Sequence, residues 1–302
     1  MQVSEKLSEK SGRPLLLVAG ATGELGGAVA QILLSQGRNV RVLIRPKSNY
    51  QPLLQAGAQG SFGDLKDPPS LEKACEGVQM LVTTANSARR GGEDNPQTVD
   101  LEGNRHLIDA AKKAGVKQFI FVSLSNADPN SPVPFVSAKG KTEQYLKASG
   151  IPYTIVAPNA FMEFWIAAVV GMPALMGQPV TIVGGGNRKH SFISAVDVAK
   201  FMIASIGNPK AINQRLLLGG PEALSLRDAA AIFGKLLGRE IQINSVAPGQ
   251  PVPGLPDAVG QMLAGLDFFD SPIEMKEMSG TFGIDLTPMA DFASAFIKNA
   301  KK

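Results

Sequence analysis

Seven residues, Gly20-Ala21-Thr22-Gly23-Glu24-Leu25-Gly26, limit what this chain can fold into more than any others. They follow a short apolar run, Leu15-Leu16-Leu17-Val18-Ala19, which is too short for a helix and is bounded by glycine. That run reads as a buried strand. They lead into residues 24–36, where Leu25, Val29, Ile32 and Leu33 recur at helical spacing before Gly37. Between strand and helix the chain must bend sharply, let backbone approach a ligand, and pack helix on strand. Each need favours a residue without Cβ.

The alternation repeats. Further strands are expected at 40–44, weakly at 58–62, and at 78–84, 116–123 and 153–156; helices are expected from 70, over 96–114 and over 137–149. Strands alternating with helices through short links imply right-handed crossovers. The expected fold class is therefore α/β, a Rossmann doubly wound parallel sheet with a small C-terminal α/β lobe. Beyond Pro158 the rhythm loosens. A helix near 161–175, strands near 179–183, 215–218 and 240–246, a helix over 225–237 and a last helix near 288–298 remain, with His190 preceding a strand at 191–193. Residues 1–13 read as a polar tail and 14–158 as the dinucleotide-binding domain. Residues 159–302 read as a smaller substrate-side lobe interleaved with it.

A glycine turn opening a helix suits a pyrophosphate, because the first-turn N–H groups and the helix dipole both favour an anion. Gly20, Thr22, Gly23, Glu24, Leu25 and Gly26 are the candidate pyrophosphate contacts. The second strand ends Ile44-Arg45-Pro46-Lys47. An acidic residue there would bind a ribose 2′-hydroxyl, whereas cations suit a 2′-phosphate. Arg45 and Lys47 thus favour NADP(H) over NAD(H). Asp64 and Leu65 follow the third strand, at the expected adenine edge, and Thr84, Ala85 and Asn86 end the fourth, beside the expected ribose and nicotinamide. Ser123, at the end of the fifth strand, is counted with this cofactor set. So are Pro158, Asn159 and Phe161 after the sixth, where Phe161, Met162 and Trp165 offer either an apolar wall for an aromatic substrate or packing against the core. The segment from Ser87 to Asn95, with Arg89, Arg90, Gly91 and Gly92, reads as a loop over the site.

Composition removes several alternatives. Hydrophobic residues make up 44% of the 302 and charged residues 19%, so a well-buried core is expected and a disordered chain is not. The single cysteine, Cys75, excludes an internal disulfide and a multi-cysteine metal site, and is expected to be buried. His106 and His190 lie in no ligand-spaced cluster, so no metal is expected. With a net charge of +4 and scattered cations, no nucleic-acid partner is expected. No apolar stretch reaches the ~18 residues of a membrane span. The nearest, 161–177, is interrupted by Glu163, Gly171 and Pro173. No signal peptide is evident, and the expectation is a cytoplasmic monomer or homodimer.

Six segments in order carry a resemblance. GATGELGG, VRVLIRP, FGDLKDPPSLEKACEGV, IDAAKKAGVKQFIFVS, KTEQYLKASGIPYTIVAPNAFME and LGGPEALSLRDAAAIFGKLLGR together resemble the NmrA-like family of atypical short-chain dehydrogenases. The resemblance implies an NADP-binding Rossmann domain with a small lobe over the nicotinamide. It also implies either a reductase of quinones, dyes or aromatic metabolites, or a cofactor sensor acting through a protein partner. Typical short-chain dehydrogenases use Asn, Ser, Tyr and Lys, the tyrosine donating a proton as hydride arrives. Here the Tyr-x-x-x-Lys slot reads Phe135-Val136-Ser137-Ala138-Lys139. The asparagine slot falls on Asp100, and the serine slot on Leu124 or Ser125. Lys139 is the catalytic candidate, as acid or as ribose clamp. Tyr145, beyond it on the same helix, is expected to pack. Family members often have arginine before Pro158, where this chain has Ala157. The leading expectation is an NADPH-dependent reductase of a small aromatic, quinone-like or dye-like substrate. The alternative is a non-catalytic NADP(H)/NAD(H) redox sensor.

Overall fold

A strand buried on both faces reads as an unbroken apolar run, and β1 (Leu15–Ala19) is one, with Leu16 to Ala19 fully closed to solvent. The structure, a computed structural model, describes residues 13–88, 90–255 and 257–300. The expected polar tail before Arg13, and Arg89 of the loop after the fourth strand, lie outside the described residues.

After β1 come α1 (Glu24–Ser35), β2 (Asn39–Ile44), α2 (Gln51–Gln55), β3 (Gln59–Phe62), α3 (Pro68–Cys75) and β4 (Met80–Thr83). A π-helical stretch, Pro96–Gly103, runs into α4 (Asn104–Lys113), and β5 (Gln118–Val122), α5 (Pro134–Ala148) and β6 (Tyr153–Pro158) follow. The seventh strand of the main sheet is not the next in the chain. β7 (Val180–Val183) pairs instead with β9 (Ile243–Val246), while β8 (Gln214–Leu218) joins β6, giving the order β3-β2-β1-β4-β5-β6-β8. β1 runs parallel to both β2 and β4, so the strand order reverses there and the crevice of a doubly wound sheet opens at their carboxyl ends. β3 closes one edge and is largely exposed, which explains its weak apolar signal.

Several expectations need correction. The expected single helix over 96–114 divides, its first eight residues winding as a π-helix, with more residues in each turn than the α-helix that follows. Its start is capped by Asn95, whose side chain accepts from the N–H groups of Gln97 and Thr98. The helix expected from 137 begins at Pro134, because proline at a first helical turn lacks only an N–H that would have had no helical partner. The helix expected near 161–175 is a π-helical stretch, Met162–Gly171, followed by the short α6 (Met172–Met176). The strand expected at 191–193 is replaced by three isolated bridges, Phe161 to Ile193, His190 to Leu224 and His190 to Ser271. A helix that was not expected, α7 (Ala195–Ser205), buries Val198, Phe201 and Met202 at helical spacing.

Among the described residues the chain forms two compact units. The first comprises the residues through Ala157 together with Val198–Leu216. Its core includes Leu17, Leu71, Leu81, Leu107, Phe119 and Phe121. Cys75 is buried there, and burial pushes its thiol up to about 12. The second unit comprises Pro158–Asp197 and the residues from Leu217 on. It contains α8 (Leu226–Leu237), started by a Ser225–Asp228 capping box and stopped at Gly238 in the left-handed conformation, then α9 (Asp257–Gly265), α10 (Lys276–Phe282) and α11 (Met289–Ala300). Its core includes Ile166, Val170, Phe192, Phe233 and Ala293. Among the described residues no helix is long and apolar enough to cross a membrane.

Candidate functional site

The three glycines of the turn do different work. Gly20 has φ +85°, and a Cβ there would stand 2.6 Å from Thr84 Oγ1 and 2.8 Å from Ala85 N. A Cβ on Gly26 would meet Gly20 O at 2.3 Å and Thr84 Oγ1 at 2.5 Å. These two let helix and strands approach. Gly23 differs, since a Cβ there would come no nearer than 3.4 Å to Gly20 O. The fold therefore does not demand glycine at 23, and its bare face lies at the start of α1, where no side chain caps the helix. Thr22, Gly23 and Glu24 are exposed beside it and Leu25 half-buried. A glycine without a side chain at an uncapped helix start fits a pyrophosphate, so the residues present suit a dinucleotide.

Thr84, Ala85 and Asn86 stand at the end of β4, across from the turn. Thr84 Oγ1 donates to Gly20 O at 3.4 Å, and Asn86 Nδ2 to Thr84 O at 3.1 Å. Asp64 follows β3 and accepts from Lys66 N at 2.9 Å through its own side chain. Leu65 is buried in the core of the first unit, with its carbonyl 3.1 Å from His106 Nδ1. Its side chain is a packing group.

Arg45, at the end of β2, donates to Asp94 Oδ2 at 2.8 Å. Two cations that the sequence reading did not assign to the cofactor meet it there. Lys66 Nζ lies 2.7 Å from Asp94 Oδ1, and Arg90 Nη1 3.4 Å from Oδ2. The hydrogen bond from Lys66 is the main reason the Asp94 carboxyl is held below the usual carboxylate range. Lys47, by contrast, is exposed and makes no ion pair among the described residues.

Lys139 is buried on α5. Its Nζ donates to Val122 O at 3.1 Å and lies 3.3 Å from Asp100 Oδ1, above the rings of Phe121 and Phe135. Asp100 Oδ2 accepts from Ser87 N at 3.0 Å and Ser87 Oγ at 2.6 Å. Burial pushes the Lys139 ammonium down, opposed by Asp100 and more weakly by Glu143. Asn104, also buried, donates through Nδ2 to Asp100 O at 3.2 Å and Val99 O at 3.1 Å, and so holds the backbone that carries Asp100. Sequence reading missed it, although it lies four residues after Asp100, where the π-helical stretch runs into α4. Ser123 is tied into the fold, donating to Glu143 Oε1 at 2.5 Å. Glu143 in turn accepts from Arg215 Nε at 3.0 Å. Tyr145 donates to Asp109 at 2.7 Å and carries Arg105 over its ring. No tyrosine therefore replaces the one absent at Phe135 in this network.

In the second unit, Asn159 follows Pro158 and donates to Ser271 O at 2.8 Å, while His190 Nδ1 lies 2.7 Å from Ser271 Oγ. Burial pushes the His190 imidazole below its usual value. Met162 and Trp165 are buried in this unit's core, where they pack with Ile166, Val170 and Phe192. Phe161, half-buried at the head of the π-helical stretch, is the one of the three with surface to offer. Among the described residues no group of three or more His, Cys, Asp or Glu is placed to hold a metal.

Comparison with known proteins matches residues 13–292 to the model of the NmrA-like family. Photosystem II assembly factor Ycf39 of Cyanophora paradoxa is 32% identical over 231 residues, 76% of this chain and 71% of that one. NAD(P)H azoreductase of Xenophilus azovorans is 29% identical over 261 residues, 83% of this chain and 86% of that one. The NADPH-dependent quinone oxidoreductase QOR2 of Escherichia coli, solved with NADPH, superposes with a TM-score of 0.78 at 26% identity, covering 93% of this chain and 99% of that one. A glycine turn on a doubly wound sheet and a family match across nearly its whole length lead to one conclusion: the chain belongs to the NmrA-like family.

Proposed function

We propose that this protein is an NADPH-dependent reductase that delivers hydride to a small aromatic, quinone-like or dye-like acceptor. The observation that carries the reading is the pairing of two anion-fitting features at one sheet edge. One is the bare turn at Gly23, and the other is the cationic cluster at Arg45. Bound there, a nicotinamide cofactor would supply the hydride. The chain's own part is to hold the pyrophosphate on the first-turn N–H groups of α1 and to read the 2′-phosphate with Arg45.

The acceptor class follows from what stands around Lys139. Its neighbours are a carboxylate and two phenyl rings, with no phenol to give up a proton. Ketones, which need a proton at oxygen as hydride arrives, are poor candidates under that arrangement. Quinones and cationic dyes accept hydride readily and can take a proton from water. The azoreductase and quinone oxidoreductase names among the relatives support this choice.

A second reading, a cofactor-binding protein without turnover that acts through a partner, has its own support. Lys139 is closed to solvent in an ion pair, and Ycf39 is described as an assembly factor. NADPH oxidation against a panel of quinones, triarylmethane dyes and enones separates the two. Turnover of a quinone or dye is the expected result. Tight NADPH binding with no turnover across the panel would favour the second reading.

A further inference from the structure

Three loops, following β2, β3 and β4, each bring one cation to the same carboxylate. Arg45 and Arg90 reach Oδ2 of Asp94, and Lys66 reaches Oδ1. The Asp94 side chain is 15% exposed, so its charge is largely enclosed but not sealed from solvent. Glu93, beside it, is almost fully exposed and approaches Lys66 only at 4.0 Å. Three cations thus share one carboxylate at close range.

We infer that Asp94 is a built-in competitor for a phosphomonoester. In this assignment Arg45, Lys66 and Arg90 form the pocket for the adenosine 2′-phosphate, and Asp94 yields its place when that phosphate binds. The inference rests on the cofactor reading above and adds Lys66, Arg90 and Asp94 as the residues that set affinity and the preference for NADPH over NADH.

The chemistry favours the exchange. A carboxylate offers one negative charge on two oxygens to three donors. A phosphomonoester carries a charge of about −1.5 to −2 at neutral pH on three terminal oxygens, enough to give each cation its own acceptor. Asp94 also sits where it can leave. Its N–H is held by Gly91 O at 3.3 Å, and a Cβ at Gly91 or Gly92 would meet nothing within 4 Å. NADH has a neutral hydroxyl at the same position. It brings nothing to replace the carboxylate, so its affinity is indifferent to Asp94.

The test is calorimetric titration of the full chain with adenosine 2′,5′-bisphosphate and with adenosine 5′-monophosphate, neither of which carries a nicotinamide. Lys66→Ala and Arg90→Ala are each expected to weaken the bisphosphate about tenfold, the effect of losing one charge-assisted contact, and to leave the monophosphate within about twofold. Asp94→Asn is expected to tighten the bisphosphate about fivefold, whereas Glu93→Gln, which removes the same charge from an exposed neighbour, changes it less than about twofold. Asp94→Asn with unchanged or weaker bisphosphate binding would overturn the inference. So would equal losses for both nucleotides in Lys66→Ala and Arg90→Ala. A protein that shows the expected binding pattern but turns over no acceptor would sink the reductase reading and leave this one standing.

Discussion

Lys139 Nζ lies 3.3 Å from Asp100 Oδ1, and neither side chain is more than 3% exposed. A buried pair of this kind is costly to break from one side, because the survivor is left charged without a partner. Asp100→Ala is expected to destabilise the protein by about 3 kcal/mol or more. The double variant Asp100→Asn/Lys139→Met should lose much less than the sum of its two single variants. Urea unfolding of the wild type, Asp100→Ala, Asp100→Asn, Lys139→Met and the double variant measures this. Strictly additive losses would show that the two groups do not act as a pair.

The turn glycines should separate stability from binding. Gly26→Ala forces a Cβ to within 2.3 Å of Gly20 O, and an overpacked contact of that kind costs about 1–3 kcal/mol. Gly23→Ala meets nothing closer than 3.4 Å and should cost only about 1 kcal/mol through the poorer helix start. Thermal unfolding and NADPH titration together check the contrast. The expected result is a folded Gly23→Ala protein with NADPH affinity reduced about tenfold or more. Full affinity in that protein would place the pyrophosphate elsewhere.

Cys75 supplies a pH dependence whose sign is fixed by burial. Its folded thiol is raised to about 12 from an ordinary 9.0, so the unfolded chain ionises first as pH rises. The stability it contributes is complete below pH 9.0 and is lost as pH climbs toward the folded value. At about 1.4 kcal/mol per pH unit, the wild type should lose roughly 2 kcal/mol more than Cys75→Ala between pH 8 and pH 10.5. Paired denaturation curves at the two pH values give the difference. Parallel losses would mean the thiol ionises alike folded and unfolded.

Phe161 and Trp165, both after β6, should behave oppositely. Trp165 is buried in the core of the second unit, and Trp165→Ala should cost about 3–5 kcal/mol. Phe161 is only half-buried, and Phe161→Ala should cost less while raising KM for a quinone. Denaturation and steady-state kinetics with the best acceptor read the two effects. An unchanged KM in Phe161→Ala would remove it from the acceptor site.

Local chemistry alone determined the front of this protein. The apolar run of β1, the glycines at 20, 23 and 26, and the helical spacing of Val29 and Leu33 each express a constraint that acts within a few residues. That is why the parallel sheet and its turn could be read directly from the chain. Arg45 was legible for the same reason, as a cation directly after a strand. What lay beyond sequence was convergence. Lys66 and Arg90 come from different loops and are drawn together by the charge of Asp94, so no local spacing announces them. β8 shows the same limit at larger scale. Its residues read as a strand, but only long-range hydrogen bonding decided that it extends the main sheet beside β6 while β7 pairs with β9. Trp165 is a third case, since its place in a core cluster depends on packing partners far along the chain. Local sterics and periodicity are written in order along a chain, whereas charge pairing, sheet completion and burial depend on which distant segments meet.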